Sequence, residues 1–320
     1  MRILVVGAGA IGGYFGGRLL QAGRDVTFLV RPRRAALLGK HGLTIQSRFG
    51  DYHNLAPPLV SKDDLAEPVD LVLLSCKAYD LDGAIASFAP AVGPRTAILP
   101  LLNGMRQLDA LADRFGAERV LGGQCAISAT LDAEGRIVHL SDFQSLSFGE
   151  SDGSRSERVA RIASTLSGAI FDSRLSEEIR LEMWEKWVFI ATLAGITCLM
   201  RATIGDIVAA GASDLATGLL NECAAIAAHH GFAPRAPPLE RARATITAAN
   251  SPLTASMLRD VQGGLPAEGD HILGDLLSRA PKPDAHSLLR IAALNLKTYE
   301  AGRIRSQARP SLEPLKPASG

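Results

Sequence analysis

The chain is poor in aromatics: Phe, Trp and Tyr make up 5% of its 320 residues. A surface built to stack nucleic-acid bases draws on more of them. Bulk charge of one sign is also missing. Lys and Arg total 34 against 33 Asp and Glu, a net +1, so no overall field holds a nucleic-acid backbone or an anionic membrane. Neither class of partner is expected. The four cysteines (Cys76, Cys125, Cys198, Cys223) form no CxxC pair. They read as free thiols of a reducing compartment, which places the protein in the cytoplasm. No metal site is expected, because there is no HExxH and the adjacent His229 and His230 diverge on a helix. A Ser-His-Asp hydrolase lacks its GxSxG elbow. The longest relevant apolar run, residues 187–200, is 14 residues between Lys186 and Arg201. A membrane-spanning helix needs about 20.

What is present is ordinary globular usage, 47% hydrophobic and 21% charged. That supplies core for roughly two domains of about 150 residues. In the first half, short apolar runs at 3–6, 25–30, 70–75 and 96–101 alternate with helical patterns such as 12–22. This alternation predicts βαβ crossovers and a parallel sheet covered on both faces. Residues 120–128, 137–140 and 145–149 read as later strands in a hairpin or mixed edge. After about Asp172 the pattern turns helical: 176–200, 214–230, 255–261, 268–279 and 287–301. The fold class is therefore α/β, an N-terminal Rossmann-type doubly wound sheet with a C-terminal all-α domain. The expected boundaries are 1–174 for the dinucleotide-binding domain, 175–304 for a helical substrate or dimerisation domain, and 305–320 for a flexible tail. A homodimer is the expected assembly.

Gly7, Ala8, Gly9, Ala10, Ile11 and Gly12 spell G-x-G-x-x-G between the first strand and the first helix. Gly7 permits the tight turn, Gly9 lets a pyrophosphate approach the backbone, and Gly12 lets the helix pack on the strand. The helix N-terminus then receives the anionic bridge. An NAD site usually carries Asp or Glu at the end of the second strand. Here stand Arg31, then Arg33 and Arg34. A guanidinium pairs with a 2′-phosphate, so the expected cofactor is NADP(H), with Arg31 at the pocket and Arg33 and Arg34 open to a solvated-loop reading.

Lys77 follows one predicted strand and Asn103 another, at carboxyl ends where open parallel sheets bind ligands. Lys186 sits on the long helical pattern between Trp184 and Trp187, the only tryptophans. Desolvation by the indoles would lower its pKa and fit it to donate a proton. Pairing with Glu182 at i−4, or snorkelling to water, is the competing reading. Glu268 at a predicted helix start and Ser256 twelve residues before it carry little weight by themselves.

The motifs VVGAGAIGGYFGGRL, CKAYD, LNGM, WEKWVF and SMLRDVQGGLPAEGD, together with Arg31, occur in this order. With them the chain resembles the ketopantoate reductases over about residues 2–303. That resemblance implies NADPH-dependent reduction of 2-dehydropantoate to pantoate, on the route to pantothenate. It implies Lys186 as the general acid and Glu268 as the acid at the junction of cofactor and substrate. It further implies Ser256 at the substrate carboxylate, Asn103 and Lys77 near the nicotinamide, the 7–12 turn at the pyrophosphate, and Arg31 at the 2′-phosphate. Three family asparagines that grip the substrate are absent: Ile190 and Ala194 stand four and eight residues after Lys186, and the third falls near Ile204. Losing such partners relaxes selectivity, so the substrate is left open to a related 2-oxo acid. Thr192, Thr197 and Arg201 are the candidate replacements, with Arg201 as a carboxylate contact. The other readings are a dehydrogenase of another hydroxy or imino acid and a catalytically silent NADP(H)-binding sensor.

Overall fold

A computed structural model describes residues 1–281 and 286–307, and the chain divides into two compact units, Met1–Trp187 and Val188 onward. The first unit opens with β1 (Arg2–Val6), α1 (Ala10–Gln21), β2 (Asp25–Leu29) and α2 (Pro32–His41). Three short strands follow, β3 (Leu43–Gln46), β4 (Tyr52–Asn54) and β5 (Leu59–Val60). Next come β6 (Leu71–Leu74), α3 (Leu81–Phe88), β7 (Ala97–Pro100) and α4 (Arg106–Phe115). The unit continues through β8 (Gly122–Ala126), β9 (Ala129–Leu131), β10 (Ile137–His139), β11 (Ser145–Gly149), α5 (Glu157–Leu166) and β12 (Asp172–Leu175).

The main sheet is wholly parallel, in the order β5-β2-β1-β6-β7. The first strand lies at its centre and the chain winds outward both ways, as the apolar runs predict. β1, β6 and β7 are near-continuous buried Val, Ile and Leu because both faces are covered. α1 packs close because its face is glycine: a Cβ at Gly16 would stand 2.6 Å from the Phe28 ring, and one at Gly17 2.8 Å from Ile45. Two smaller sheets complete the unit, β4-β3-β10-β9 and β12-β11-β8. β12, with the polar sequence DSRL, pairs in parallel with β11 and adds a strand where the sequence signals only a change of character.

α6 (Ile179–Met200) starts in the first unit, and the division falls within it. By length and composition it is apolar enough to cross a membrane, unlike the 14-residue run read from sequence, but 67% of its most apolar window is buried inside the protein. That is how the core helix of a globular domain behaves. Beyond it lie α7 (Ile204–Ala209), α8 (Ser213–His229), α9 (Ala236–Ile246), α10 (Ser256–Gln262), α11 (Asp275–Ser278) and α12 (Leu288–Gln307). Among the described residues this second unit contains no strand. Its core closes on Gly195, where a Cβ would meet Leu219, Leu273 and Ala292 from three other segments. Of the expected tail, residues 305–307 finish α12, and 308–320 lie outside the described residues.

Candidate active site

The glycine turn has the backbone its spacing demands. Gly7 has φ +94° and donates its N–H to Leu29 O at 3.0 Å, which ties the turn to the end of β2. A Cβ at Gly12 would stand 2.1 Å from Gly7 O and 2.9 Å from the Ser75 side chain, so that glycine serves helix–strand contact. Gly9 differs. It is the residue before α1, with φ −77°, and a Cβ there would meet no protein atom within 4 Å. Nothing inside the unit requires its smallness. The open space lies at a helix N-terminus whose first N–H groups have no intrahelical partner. The turn therefore fits the pyrophosphate of a dinucleotide.

The arginines after β2 separate. Arg31 caps α2 and its Nη2 donates to Asp80 Oδ1 at 2.8 Å; the side chains are 69% and 32% exposed. The Asp80 hydrogen bond keeps the guanidinium even more firmly protonated than usual. Arg34 is half-buried, donating Nε to Ala8 O at 2.8 Å and Nη1 to Gly135 O at 2.9 Å. It props the glycine turn from behind. Arg33 is exposed. The sequence did not reveal that Arg34 has a structural task or that Asp80 partners Arg31.

Lys77 lies three residues past β6 and Asn103 three past β7. β1, β6 and β7 are parallel neighbours, so both residues follow the same edge of the sheet as the glycine turn. Both are exposed. The loop holding Asn103 is shaped from beneath by the buried Gln107, whose Nε2 donates to Leu102 O at 3.2 Å and Gly104 O at 2.7 Å.

Lys186 lies in the first unit with these loops. Its Nζ donates to Cys125 O on β8 at 2.6 Å, and Cys125 Sγ in turn lies 3.8 Å from Leu101 O, two residues before Asn103. Burial pushes the ammonium below its ordinary 10.5, slightly opposed by the Cys125 thiol. The Glu182 pairing does not form. That carboxylate takes bonds from Ser176 Oγ at 2.7 Å and Arg174 Nη2 at 2.5 Å, with Gln124 Nε2 at 3.3 Å. Trp184 and Trp187, three apart, share one face and pack on each other at 5.0 Å between ring centroids. Lys186 itself is tied to β8 through the Cys125 carbonyl.

Glycine sets that contact. A Cβ at Gly122 would stand 2.7 Å from Ile179, the first residue of α6, and one at Gly149 2.1 Å from Ser176 O just before it. The helix start thus lies directly on the small sheet, and Lys186 reaches Cys125 from there.

In the second unit, Ser256 is the exposed first residue of α10. Ala255, before it, donates its N–H to Thr197 Oγ1 at 3.4 Å. Thr192 and Thr197 are fully buried, and their hydroxyls donate to Val188 O at 2.8 Å and Leu193 O at 2.6 Å within α6. Both hydroxyl protons are thus spent on the helix backbone, and both side chains are closed to solvent. Glu268 stands at the start of a helical run, as the sequence suggests, but the run opens in π form. It precedes a π-helical turn, Asp270–Gly274, that leads into α11, and Ile272 N donates to its carbonyl at 2.9 Å. Such turns cluster at functional sites. Arg201 takes a left-handed φ of +56° at the end of α6 and lays its guanidinium over Tyr299, 5.9 Å from the ring centroid. It lines a cavity of about 700 Å³ with Asn295, Tyr299 and Arg303.

A parallel sheet with a dinucleotide turn, joined to a helical unit, defines a Rossmann-type oxidoreductase architecture. Residues 3–153 match the ketopantoate reductase PanE/ApbA family and residues 178–286 match its C-terminal part, so the chain belongs to that family of oxidoreductases. The uncharacterized oxidoreductase YkpB of Bacillus subtilis is 39% identical over 304 residues, covering 94% of this chain and 99% of that protein. A 2-dehydropantoate 2-reductase of Mesorhizobium japonicum is 29% identical, covering 91% and 96%. The crystal structure of 2-dehydropantoate 2-reductase from Methylococcus capsulatus superposes with a TM-score of 0.84 at 26% identity, covering 97% of this chain and 99% of that one.

Proposed function

We propose that this protein reduces a 2-oxo acid to the 2-hydroxy acid with NADPH, acting on 2-dehydropantoate or an acid close to it. The observation that carries the reading is Lys186: a desolvated amine fixed on Cys125 O, linked through Cys125 to the loop of Asn103. Family membership supports the reaction class, and the resemblance to 2-dehydropantoate 2-reductases supports the substrate.

A nicotinamide dinucleotide, when bound, supplies the hydride that reaches C2. The chain supplies the rest. The 7–12 turn holds the pyrophosphate, Arg31 holds the 2′-phosphate, and Lys77 and Asn103 hold the nicotinamide end. Lys186 Nζ gives its proton to the C2 oxygen as negative charge develops there, which leaves a neutral amine to be reprotonated from solvent. Glu268 orients the new hydroxyl, and Ser256 takes the substrate carboxylate. Ile190, Ala194 and Ile204 provide no hydrogen bonds in place of the family asparagines, so selection for the substrate's distal hydroxyl is relaxed.

The test is a panel of 2-oxo, 3-oxo and imino acids, including 2-dehydropantoate, followed by loss of NADPH absorbance. Turnover confined to 2-oxo acids is expected. Turnover confined to another class would overturn the assignment, and binding of NADPH with no turnover would favour the silent sensor. Light scattering on the same sample tests the homodimer.

A further inference from the structure

The sequence places no acid at the end of β2, where a 2′-hydroxyl would be held, but the fold brings one there from another strand. β2 and β6 flank β1 in the parallel sheet, so their carboxyl ends lie on either side of the glycine turn that follows β1. Two strand spacings, about 10 Å, separate them. Arg31 stands two residues past β2 and Asp80 six past β6. Their 2.8 Å ion pair therefore joins the two flanks across the end of β1. Of the neighbouring guanidiniums, Arg34 gives Nε to Ala8 O and Nη1 to Gly135 O, and Arg33 is exposed.

We propose that Asp80 is the residue that sets the choice between 2′-phosphorylated and 2′-hydroxyl dinucleotides. The inference rests on the reading of the glycine turn as a dinucleotide site. A 2′-phosphate and the Asp80 carboxylate are both anions that seek one guanidinium. A phosphate drawn to Arg31 either displaces that bond or shares the guanidinium with Asp80, and in both cases the carboxylate repels it. A ribose 2′-hydroxyl carries no charge and can donate to Asp80 while Arg31 stays in place. The ion pair thus weakens NADPH binding relative to a bare arginine and keeps a foothold for NADH. Arg31 alone would select strictly. Arg31 with Asp80 gives a protein that accepts both.

The test is fluorescence titration of NADPH and NADH, without substrate, on the full-length protein, Asp80→Asn and Arg31→Gln, with thermal melting of each. Asp80→Asn should tighten NADPH about fivefold, the scale of one exposed charge pair, and leave NADH equal or weaker. Arg31→Gln should weaken NADPH about 10- to 100-fold and change NADH far less. If Asp80→Asn melts like the parent and binds both dinucleotides with the parent's preference, Asp80 is no selector. If it weakens both equally, its role is only to support the loop. If the parent binds neither dinucleotide, the glycine-turn reading fails first.

Discussion

Lys186 Nζ and the Cys125 carbonyl oxygen stand 2.6 Å apart, one on the first turns of α6 and the other on β8. The bond points the amine at the strand rather than along its own helix. The nearby Glu182, which would have kept the amine charged, is engaged by Ser176 and Arg174. The lysine is left with a neutral acceptor in a partly dry environment, which suits a proton donor.

Replacing Lys186 with Met should lower kcat about 100-fold or more while dinucleotide binding and melting temperature hold. In the parent, kcat should fall as pH rises, because the donor is lost when the amine deprotonates. That limb should lie below 10.5, since burial lowers the pKa. Steady-state rates across pH measure both. An intact kcat in the variant would remove Lys186 from the chemistry.

Gly9 and Gly12 should respond in opposite ways to alanine. A methyl at Gly9 meets no protein atom, so Gly9→Ala should melt with the parent yet bind dinucleotide at least about tenfold more weakly. A methyl at Gly12 meets Gly7 O at 2.1 Å, so Gly12→Ala should lose about 1–3 kcal/mol of stability. Calorimetry and NADPH titration of the two variants separate these effects.

Arg158 and Ser156 hold the buried Glu150. Burial pushes that carboxyl up, but the bonds from Arg158, with Nε at 2.7 Å, and from Ser156 outweigh it and keep the pKa below 4.5. Arg158→Ala leaves the carboxylate short of partners and should cost about 1–3 kcal/mol near neutral pH. A depressed acid stabilises above its unfolded pKa and loses that contribution as pH falls through the folded value. The gap between parent and variant in urea unfolding should therefore close as pH drops well below 4.5. A gap independent of pH would mean the loss is packing alone.

The sequence made the parallel sheet legible, because β1, β6 and β7 are unbroken apolar runs and Gly7, Gly9 and Gly12 punctuate the first crossover. Of the small sheets it showed β8, β10 and β11, read as strands of a hairpin or mixed edge, and hid the shorter partners. β3 and β4 there, and β5 at the edge of the main sheet, are two to four residues long and gain meaning only from their partners, as does β12. The π-turn after Glu268 was read as α-helix, since apolar spacing does not resolve one extra residue per turn. In the site, Lys186 and the glycine turn stood out by residue type. The roles of Cys125, Asp80 and Arg34 did not, since each acts through a long-range contact: a main-chain oxygen, an ion pair across strands, and a bond to the back of a turn. Thr192 and Thr197 read from sequence as available polar groups, but both are buried and bond the backbone of α6.

Gly122 and Gly149 work as spacers of zero thickness between strand and helix. A side chain at either one would raise the start of α6 like a shim under a hinge, and the amine farther along would lose its seat on Cys125. Damage to turnover is thus to be sought at two residues that never meet a reactant. The acceptor itself is better protected: its oxygen belongs to the main chain, so any amino acid at position 125 would still present it.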